Sequence, residues 1–388
     1  MEEEVRQVTC TLEDEGGRRL VKTLYYMVTR DPTTNLLCWK LAPNQNIMVE
    51  ERAYCLPNLK AVALGGGTGL PVVLSALKKL IFGANPRGDG VLAGKGGLTA
   101  IVTVADDGGS SGALRRELHI LPPGDIRNCL LSLSQPSTMA ELLSYRFQER
   151  GELCGHSLGN LLLAALAQME GSFPRAVETL SQVLGVKGRV LPATLADIAL
   201  KAELHDGRVV TGESQIARSG GRIKRIYLEP EDSEPLQQSI EELERADIII
   251  IGPGSLYTSI IPVLLVRGMA RTIAKAKALK VLIANLMTEP GETDDYTLKD
   301  HITAINDHVG PDLIDLVLIN NSPVTDPLLT IYRREGAEPV AYDPAELKGL
   351  GLDWLEADLL SQGEKVRHDP DKLARCLGGL LRQRSLGV

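Results

Sequence analysis

Several features that mark particular protein classes are missing from this chain of 388 residues. Its six cysteines are scattered and form no Cys-x-x-Cys pair, so neither a metal knuckle nor a disulfide framework is expected. No apolar run reaches the ~20 residues that a membrane-spanning helix needs. The acidic start, Met1–Glu4, lacks the basic segment of a signal peptide. We therefore expect a cytoplasmic protein with no membrane partner.

An excess of positive charge is missing as well. Lysine and arginine total 42 against 50 aspartates and glutamates, which gives a net charge of -8. Counterion release on nucleic acid needs a basic face, so no nucleic-acid partner is expected. The 44% of hydrophobic and 24% of charged residues are typical of a globular protein. The length suits one large or two medium domains.

What the chain does contain is a run of glycines after an apolar segment. Four of the five residues from Gly65 to Gly69 are glycine, and a helix is predicted from Pro71 to Ile81. The Walker sequence G-K-[ST] is absent, and Leu70 stands where a Rossmann fingerprint has its third small residue. A helix that starts after a bare loop aims its unpaired N–H groups across that loop and collects phosphate. We interpret the run as a phosphate cradle; the alternative is a tight turn without a ligand.

A pair of carboxylates follows the next predicted strand, residues 98–105. Asp106 and Asp107 precede the small-residue run Gly-Gly-Ser-Ser-Gly. At the carboxyl end of a parallel strand, such a pair could hold a sugar, a ribose or a Mg²⁺ ion. The alternative is an Asx-rich turn that binds nothing.

A second glycine loop follows the apolar strand Ile248–Ile251. Gly252 and Gly254 leave the backbone of this loop without side chains at these two positions, and Ser255 begins a helix that is predicted to reach Lys277. Two such loops are a more specific signal than one. Together they suit two phosphates, or a phosphate and a sugar.

Other polar candidates lie between the two loops. Asp125 has two interpretations of equal weight, a helix N-cap or a ligand contact. Arg127 and Asn128 have no capping role to explain them beside an apolar helix, and Asn160 begins another apolar helix where it could face a ligand. His156 is a candidate for proton transfer, although a single histidine is more often structural.

The order of the predicted elements indicates the fold class. From Leu59 onward strands alternate with helices, which predicts an α/β protein with a doubly wound, mainly parallel, Rossmann-like sheet. We expect residues 58–388 to form one nucleotide-binding domain. Within it, residues 186–228 are predicted to be a small β-rich insertion around a hairpin, and residues 339–342 a short strand.

Residues 1–57 differ from the rest of the chain because they are rich in β-forming residues and carry no glycine motif. They are predicted to form a small β extension with a turn at Asp31–Asn35. Nothing in this extension suggests catalysis.

Taken together, these motifs resemble the bacterial gluconeogenesis factor family. That family is a branch of the CofD-like group, whose named enzyme is 2-phospho-L-lactate transferase. The resemblance runs in order over about residues 59–384. The segments that carry it are Gly65–Leu70, Val104–Gly112, Pro122–Asn128, Gly155–Asn160, Gly252–Ser259, Asn285–Thr293 and Arg367–Asp369.

The resemblance implies a cytoplasmic, CofD-like protein that binds UDP-sugars, notably UDP-N-acetylglucosamine. It also implies a link to growth on gluconeogenic carbon sources and to cell shape. By this resemblance, the diphosphate would contact Gly66, Gly67, Thr68 and Gly69. The ribose or sugar hydroxyls would contact Asp107, Ser111 and Asn128, and the rest of the cleft would be formed by Asn160, Gly254, Ser255, Tyr257 and Thr258. Tyr332 and Arg367 would form a lid over the nucleotide.

The two lid residues have plain alternatives. Tyr332 could stack on uracil and Arg367 could neutralise a phosphate. Equally, Tyr332 could belong to the core, and Arg367 could pair with Asp369.

Three functions compete at this point. A regulatory UDP-sugar-binding protein is favoured, because the sequence shows no obvious nucleophile–base pair. Such a protein is expected to be a homo-oligomer that acts through a regulatory protein partner. The second function is a nucleotidyl- or phospho-transferase in which Asp106 and Asp107 hold Mg²⁺. The third is an NAD-binding protein, but Asp106 lies 37 residues after Gly69, longer than the ~20 expected for a ribose-binding acid.

Overall fold

The computed structural model describes residues 2–13, 19–30, 37–41, 56–83, 97–148 and 150–385. The turn expected at Asp31–Asn35 lies outside these residues. The strands are β1 (Glu2–Glu13), β2 (Arg19–Arg30), β3 (Leu37–Leu41), β4 (Lys60–Gly65), β5 (Gly97–Val102), β6 (Arg189–Pro192), β7 (Ala199–Leu204), β8 (Val209–Thr211), β9 (Ile223–Glu229), β10 (Ile248–Ile251), β11 (Leu279–Ile283), β12 (Leu316–Asn320) and β13 (Asp353–Ala357).

Helices fill most of the connections between these strands. They are α1 (Gly69–Phe82), α2 (Gly109–Leu118), α3 (Gly124–Leu133), α4 (Thr138–Ser144), α5 (Leu158–Glu170), α6 (Phe173–Val183), α7 (Glu213–Ile216), α8 (Gln237–Glu244), a π-helical turn (Leu256–Ile260) continued by α9 (Ile261–Leu265), α10 (Met269–Lys275), α11 (Leu298–Val309), α12 (Asp326–Arg334), α13 (Pro344–Gly349) and α14 (Pro370–Ser385).

One large sheet organises the described chain, in the order β1-β2-β3-β13-β12-β11-β10-β4-β5-β6. Neighbours from β13 to β6 pair in parallel, and β3 pairs in parallel with β13. Strands β1 and β2 are antiparallel to each other, and β2 is antiparallel to β3. Strands β8, β7 and β9 form a separate antiparallel sheet. The predicted α/β fold with a mainly parallel sheet is therefore confirmed.

The sheet changes winding direction between β4 and β10. From β4 the chain adds β5 and β6 on one side, then returns to place β10 on the other side, followed by β11 to β13. Ala61–Leu64 pair with Ile248–Ile251, and all eight residues are buried. Runs of this kind are stable only when both faces of the strand are covered. Ligands bind at such a switch point, beyond the carboxyl ends of the strands.

Helix α1 covers one face of the sheet next to this point. Leu70, Val73, Leu74 and Leu77 recur at helical spacing and are fully buried. A buried apolar face of this kind fixes the start of α1, and therefore the glycine loop before it, relative to β4.

The insertion differs from its predicted bounds. Arg189–Pro192 form β6, which pairs with β5 in the main sheet, so the separate sheet begins only at Ala199. The expected hairpin is present, because Asp206 and Gly207 connect β7 to β8. The four-residue helix α7 follows β8 and leads to β9.

Two other elements also differ from the prediction. The helix expected to run to Lys277 is interrupted at Val266–Gly268, where Gly268 has a φ of 77°. Its two halves are bent by 79° and reach membrane-spanning length and apolarity only together; no single helix in the described part of the chain does so. The strand expected at residues 339–342 is reduced to one bridge between Met287 and Pro339, since proline lacks the N–H that a ladder needs.

Candidate functional site

The two glycine loops line a single cleft at the switch point. Its volume is about 300 Å³, near the lower end for ligand sites. Seven of the residues predicted for the site line this cleft: Gly67, Thr68, Gly69, Gly254, Ser255, Tyr332 and Arg367.

The two loops approach so closely that side chains would not fit between them. The N–H of Gly252 donates to the carbonyl of Leu64 at 3.1 Å. A Cβ on Gly69 would lie 2.3 Å from the carbonyl oxygen of Pro253, and one on Gly254 would lie 3.4 Å from the oxygen of Gly66. Glycine at position 69 is therefore a packing requirement, because any side chain there would overlap the carbonyl of Pro253.

The lid residues are connected to each other through the backbone. The hydroxyl of Tyr332 accepts a hydrogen bond from the N–H of Val366 at 3.2 Å, directly before Arg367. This bond ties α12 to the segment that carries the arginine.

The cleft also contains polar residues that the sequence did not single out. Asn285 Nδ2 donates to the carbonyl of Gly254 at 2.9 Å and holds the second loop in place. Glu289 and Glu335 line the cleft, and burial raises the pKa of Glu289. His368 also lines it, and burial lowers its pKa to about 4. Asn285 and His368 both belong to motifs that the sequence analysis quoted, so attention to every polar residue in those motifs could have found them.

Asp125 sits between the first glycine loop and the next strand. Its Oδ2 accepts a hydrogen bond from the N–H of Gly67 at 2.7 Å. The N-cap of α3 is Pro123, so Asp125 is not the cap and the ligand-contact interpretation remains open. Burial raises the pKa of Asp125 to about 6, against the opposing effect of the Gly67 bond, while Asp106 raises it further. Gly66 lies behind this contact, since a Cβ there would be 2.7 Å from Asp125 Oδ2.

Tyr257 and Thr258 do not line the cleft with their side chains, which corrects the expectation for both. The hydroxyl of Tyr257 lies 2.8 Å from that of Tyr296, and burial raises the Tyr257 pKa well above its usual range. Thr258 Oγ1 donates to Glu292 at 3.1 Å. The reason is the π-helical turn at Leu256–Ile260, which changes the direction of successive side chains from that of a regular helix.

Ser259, from the same turn, lies close to glycines of both loops. Its Oγ lies 3.4 Å from the position of a Cβ on Gly67, and its Cβ lies 3.3 Å from that on Gly254. Sequence reasoning missed Ser259 because a regular helix would not bring it to the loops.

The remaining predicted residues lie at the carboxyl end of β5, on the other side of the Gly65–Gly69 loop. Ser111 Oγ accepts a hydrogen bond from the N–H of Gly124 at 3.1 Å. Asp107 Oδ1 accepts from both the N–H (2.9 Å) and the hydroxyl of Ser214, and therefore binds the insertion. Asp106 Oδ1 accepts from the N–H of Gly108 at 2.9 Å.

These contacts bear on the expected magnesium ion. Asp106 and Asp107 each have a protein partner, and the partner of Asp107, Ser214, belongs to helix α7 of the insertion. In the described ranges no three His, Cys, Asp or Glu side chains are arranged as metal ligands. A carboxylate pair with phosphate and water is a common Mg²⁺ site, but Asp107 is here committed to Ser214.

A buried polar network extends from this point. We use the name for six residues: Ser110, Arg127, Asn128, Ser157, Asn160 and His156. An Arg127 Nη donates to Asn160 Oδ1 at 2.9 Å and to Ser157 Oγ, and the other donates to Asn128 Oδ1 at 2.7 Å. Asn160 Nδ2 donates to Ser110 Oγ at 3.1 Å, and Ser110 Oγ lies 3.0 Å from His156 Nδ1. The network therefore brings Asn128, Asn160 and His156 together, as the sequence could not show.

Helix α7 adds an acidic residue to the β5 side. Burial, followed by the charges of Asp106 and Asp125, raises the pKa of Glu213 to about 9. Its Oε2 is buried and has no hydrogen-bond partner in the part of the chain that the structure describes. No motif in the sequence pointed to Glu213, which lies more than a hundred residues from Asp106.

Known proteins share this arrangement of loops and strands. A family profile described as 2-phospho-L-lactate transferase CofD matches residues 61–360. The gluconeogenesis factor of Bacillus subtilis (strain 168) is 48% identical over 326 residues, which is 84% of this chain and 98% of that protein. The chain belongs to the gluconeogenesis factor family.

Other members of the gluconeogenesis factor family support this conclusion. The gluconeogenesis factor of Halalkalibacterium halodurans is 46% identical over 318 residues, 81% of this chain and 94% of that protein. A crystal structure of a UPF0052 family protein from Bacillus halodurans matches with a TM-score of 0.77 at 44% identity. The match covers 83% of this chain and 99% of the Bacillus halodurans chain. The resemblance found in the motifs and the α/β fold are both confirmed.

Proposed function

We propose that this member of the gluconeogenesis factor family binds a UDP-sugar in the cleft, with UDP-N-acetylglucosamine as the expected ligand. The observation that carries the proposal is the convergence of Gly67–Gly69 and Gly254–Ser255 on one cleft. A pyrophosphate needs several donors that converge from two sides, and two loops at a switch point supply them.

The positions of the other cleft residues support a nucleotide rather than a free phosphate. Arg367 adds a fixed positive charge beside the glycine loops, which suits a pyrophosphate. Tyr332 adds an aromatic face of the kind on which a base stacks. Glu289 and Glu335 supply acceptors for ligand hydroxyl or N–H groups.

In this proposal the protein is a cytoplasmic regulator of carbon use and cell shape on gluconeogenic substrates. Binding of the nucleotide sugar would change the surface that a protein partner recognises. We expect the protein to act as a homo-oligomer, and binding alone is sufficient for this role.

Isothermal titration calorimetry with UDP-N-acetylglucosamine tests the proposal. We expect one site per chain, and we expect Arg367→Ala to weaken binding about 30-fold, as loss of a charge-assisted phosphate contact does. Arg375→Ala is the matched control, because Arg375 is exposed on α14 and does not line the cleft. Absence of binding by every UDP-sugar, or equal binding by Arg367→Ala, would contradict the proposal.

A transferase is the second candidate, favoured by the match to the 2-phospho-L-lactate transferase profile. It requires turnover that depends on Mg²⁺ and that Asp107→Asn abolishes. Asp107→Asn would also disturb the hydrogen bond between Asp107 and Ser214, so this variant could lose activity for a structural reason. Ser214→Ala removes the hydroxyl donor but keeps both the N–H donor and the carboxylate, so a transferase should retain turnover in that variant.

A further inference from the structure

Ser110 and His156 form a hydroxyl–imidazole pair that the sequence did not reveal. Ser110 Oγ lies 3.0 Å from His156 Nδ1, although the two residues are 46 positions apart. Ser110 is in the first turn of α2, which follows β5, and its side chain is 7% exposed. Its position at the carboxyl end of a parallel strand is the one from which α/β proteins present reactive groups.

The hydrogen bonds around the pair have a direction. Asn160 Nδ2 is a donor only, so Ser110 Oγ accepts from it at 3.1 Å. When His156 is the tautomer that carries its proton on Nε2, the Ser110 hydroxyl donates to His156 Nδ1 and the imidazole accepts. An Arg127 Nη donates to Asn160 Oδ1 at 2.9 Å, which polarises the amide and strengthens its donation to Ser110.

The cation at the far end is Arg127, where burial and the charge of Arg146 lower the pKa while the charges of Asp125 and Asp106 raise it. Arg127 is 8% exposed, and in the described part of the chain it forms no ion pair. Its Nε also has no hydrogen-bond partner there. A buried charge is costly unless hydrogen bonds and opposite charges compensate it, and Arg127 is held by its bonds to Ser157, Asn160 and Asn128. Here it lies at one end of a relay whose other end is a base, so both ends favour loss of the Ser110 proton.

We propose that Ser110 is a nucleophile activated by His156, with Arg127 and Asn160 as positioning residues, and that its substrates are phosphoryl esters or anhydrides. This activity goes beyond binding of a UDP-sugar and does not depend on it. In the step, the bond from Ser110 Oγ to phosphorus forms and the bond from phosphorus to the leaving group breaks. His156 takes the Ser110 proton and transfers it to the leaving group.

The start of α2 supplies N–H donors for the phosphoryl oxygen that becomes negatively charged in such a step. The first N–H groups of a helix have no acceptor inside it, so those beside Ser110 can stabilise the negative charge that develops on a phosphoryl oxygen. The reaction needs no residue outside the described network and this helix turn.

The test is covalent labelling of the full chain with a fluorophosphonate probe, followed by peptide mapping by mass spectrometry. The expected reaction breaks the P–F bond, forms a Ser110 ester and releases fluoride. Ser110→Ala should remove the adduct, and His156→Ala should slow labelling by about 100-fold, the usual size of a lost general base. Added imidazole should restore labelling in His156→Ala but not in Ser110→Ala.

Ser181→Ala is the matched control, since Ser181 is a helical serine whose hydroxyl donates only to the carbonyl of Val177. It should label as the wild type does. Absence of a Ser110 adduct in the folded wild type would overturn the proposal. So would a labelling rate that His156→Ala leaves unchanged while its circular dichroism stays native. Because UDP-sugar titration measures a different site, failure of either assay leaves the other result standing.

Discussion

The two sides of the Gly65–Gly69 loop hold their polar groups in different ways. On the β10 side, glycine lets two backbone loops come together, and side chains such as Asn285, Glu289 and Arg367 complete the cleft. On the β5 side, the polar groups are side chains that already bind one another, as in the polar network and in the contact between Asp107 and Ser214.

This difference has a physical consequence for mutation. A backbone cradle is fixed by the strands that carry it, so only a change in packing can damage it. A side-chain network is fixed by its members, so removal of one leaves another unpaired in a buried place. We therefore expect substitutions in the glycine loops to act through packing, and substitutions beside β5 to act through the loss of hydrogen-bond partners.

The largest effect is expected from Gly69→Ala. The added Cβ would lie 2.3 Å from the carbonyl oxygen and 2.8 Å from the carbonyl carbon of Pro253, so the two loops must move apart. We expect a loss of about 3 kcal/mol in the free energy of unfolding, as for an overpacked core. Binding of UDP-N-acetylglucosamine should be lost as well. Urea denaturation and calorimetric titration measure the two effects.

Gly349→Ala is the control for this substitution. Gly349 ends α13, and a Cβ there would meet no atom within 4 Å. It should leave binding unchanged and raise stability slightly, by about 0.5 kcal/mol. If Gly69→Ala bound the ligand as well as Gly349→Ala does, close approach of the two loops would not matter for the cleft.

A smaller effect, dependent on pH, is expected from Asp125→Asn. Burial raises the folded-state pKa of Asp125 from 3.8 to about 6. Between these values the folded chain binds more protons than the unfolded chain, so the free energy of unfolding falls as pH rises and levels off above pH 6. A shift of that size corresponds to about 3 kcal/mol for a fully buried group, which we take as an upper bound.

The asparagine variant should lack this slope, because its side chain does not titrate and can still accept from the N–H of Gly67. Denaturation at pH 4.5, 6 and 7.5 measures it. Burial also raises the pKa of Glu292 to about 7, so Glu292 contributes its own pH dependence to the stability of both proteins. The contribution of Asp125 is therefore the difference between the pH profiles of the wild type and the variant. The exposed Asp232→Asn serves as the control. Parallel profiles for wild type and Asp125→Asn would show that the carboxylate beside Gly67 carries no such effect.

The same contrast explains what the sequence could and could not predict. The strand Ile248–Ile251 has the predicted bounds, because four isoleucines between a charged helix and a glycine loop fit only a strand buried on both faces. The glycine loops were predictable as well, since each follows such a strand. Strand β6 was not, because four residues that end in Pro192 carry little strand signal at a sheet edge.

The β5 side was less predictable than the cleft. The bonds from Asp107 to Ser214 and from Ser110 to His156 join residues 107 and 46 positions apart. No local pattern encodes such contacts; they follow from tertiary packing. The direction of Tyr257 failed for a related reason, because one π-helical turn rotates the side chains that follow it.

The smallest effect is expected from Tyr332→Phe, which separates the ring from its hydroxyl. Phenylalanine keeps the aromatic face but loses the bond from the N–H of Val366, which is 3.2 Å long and partly buried. Loss of one neutral hydrogen bond costs about 1 kcal/mol, so affinity for UDP-N-acetylglucosamine should fall about fivefold. Faster dissociation should account for most of the change, since the lid segment before Arg367 would be held less firmly.

Stopped-flow dissociation measures this change, with the exposed Tyr145→Phe as the control. Tyr332→Ala should lose more affinity than Tyr332→Phe, because it removes the aromatic face together with the hydroxyl. Labelling of Ser110 should be the same in both Tyr332 variants, because Tyr332 lies on the β10 side and makes no contact within the polar network. A Tyr332 variant that altered Ser110 labelling would show that the cleft and the polar network act as one site. That result would contradict the separation of the β10 side from the β5 side.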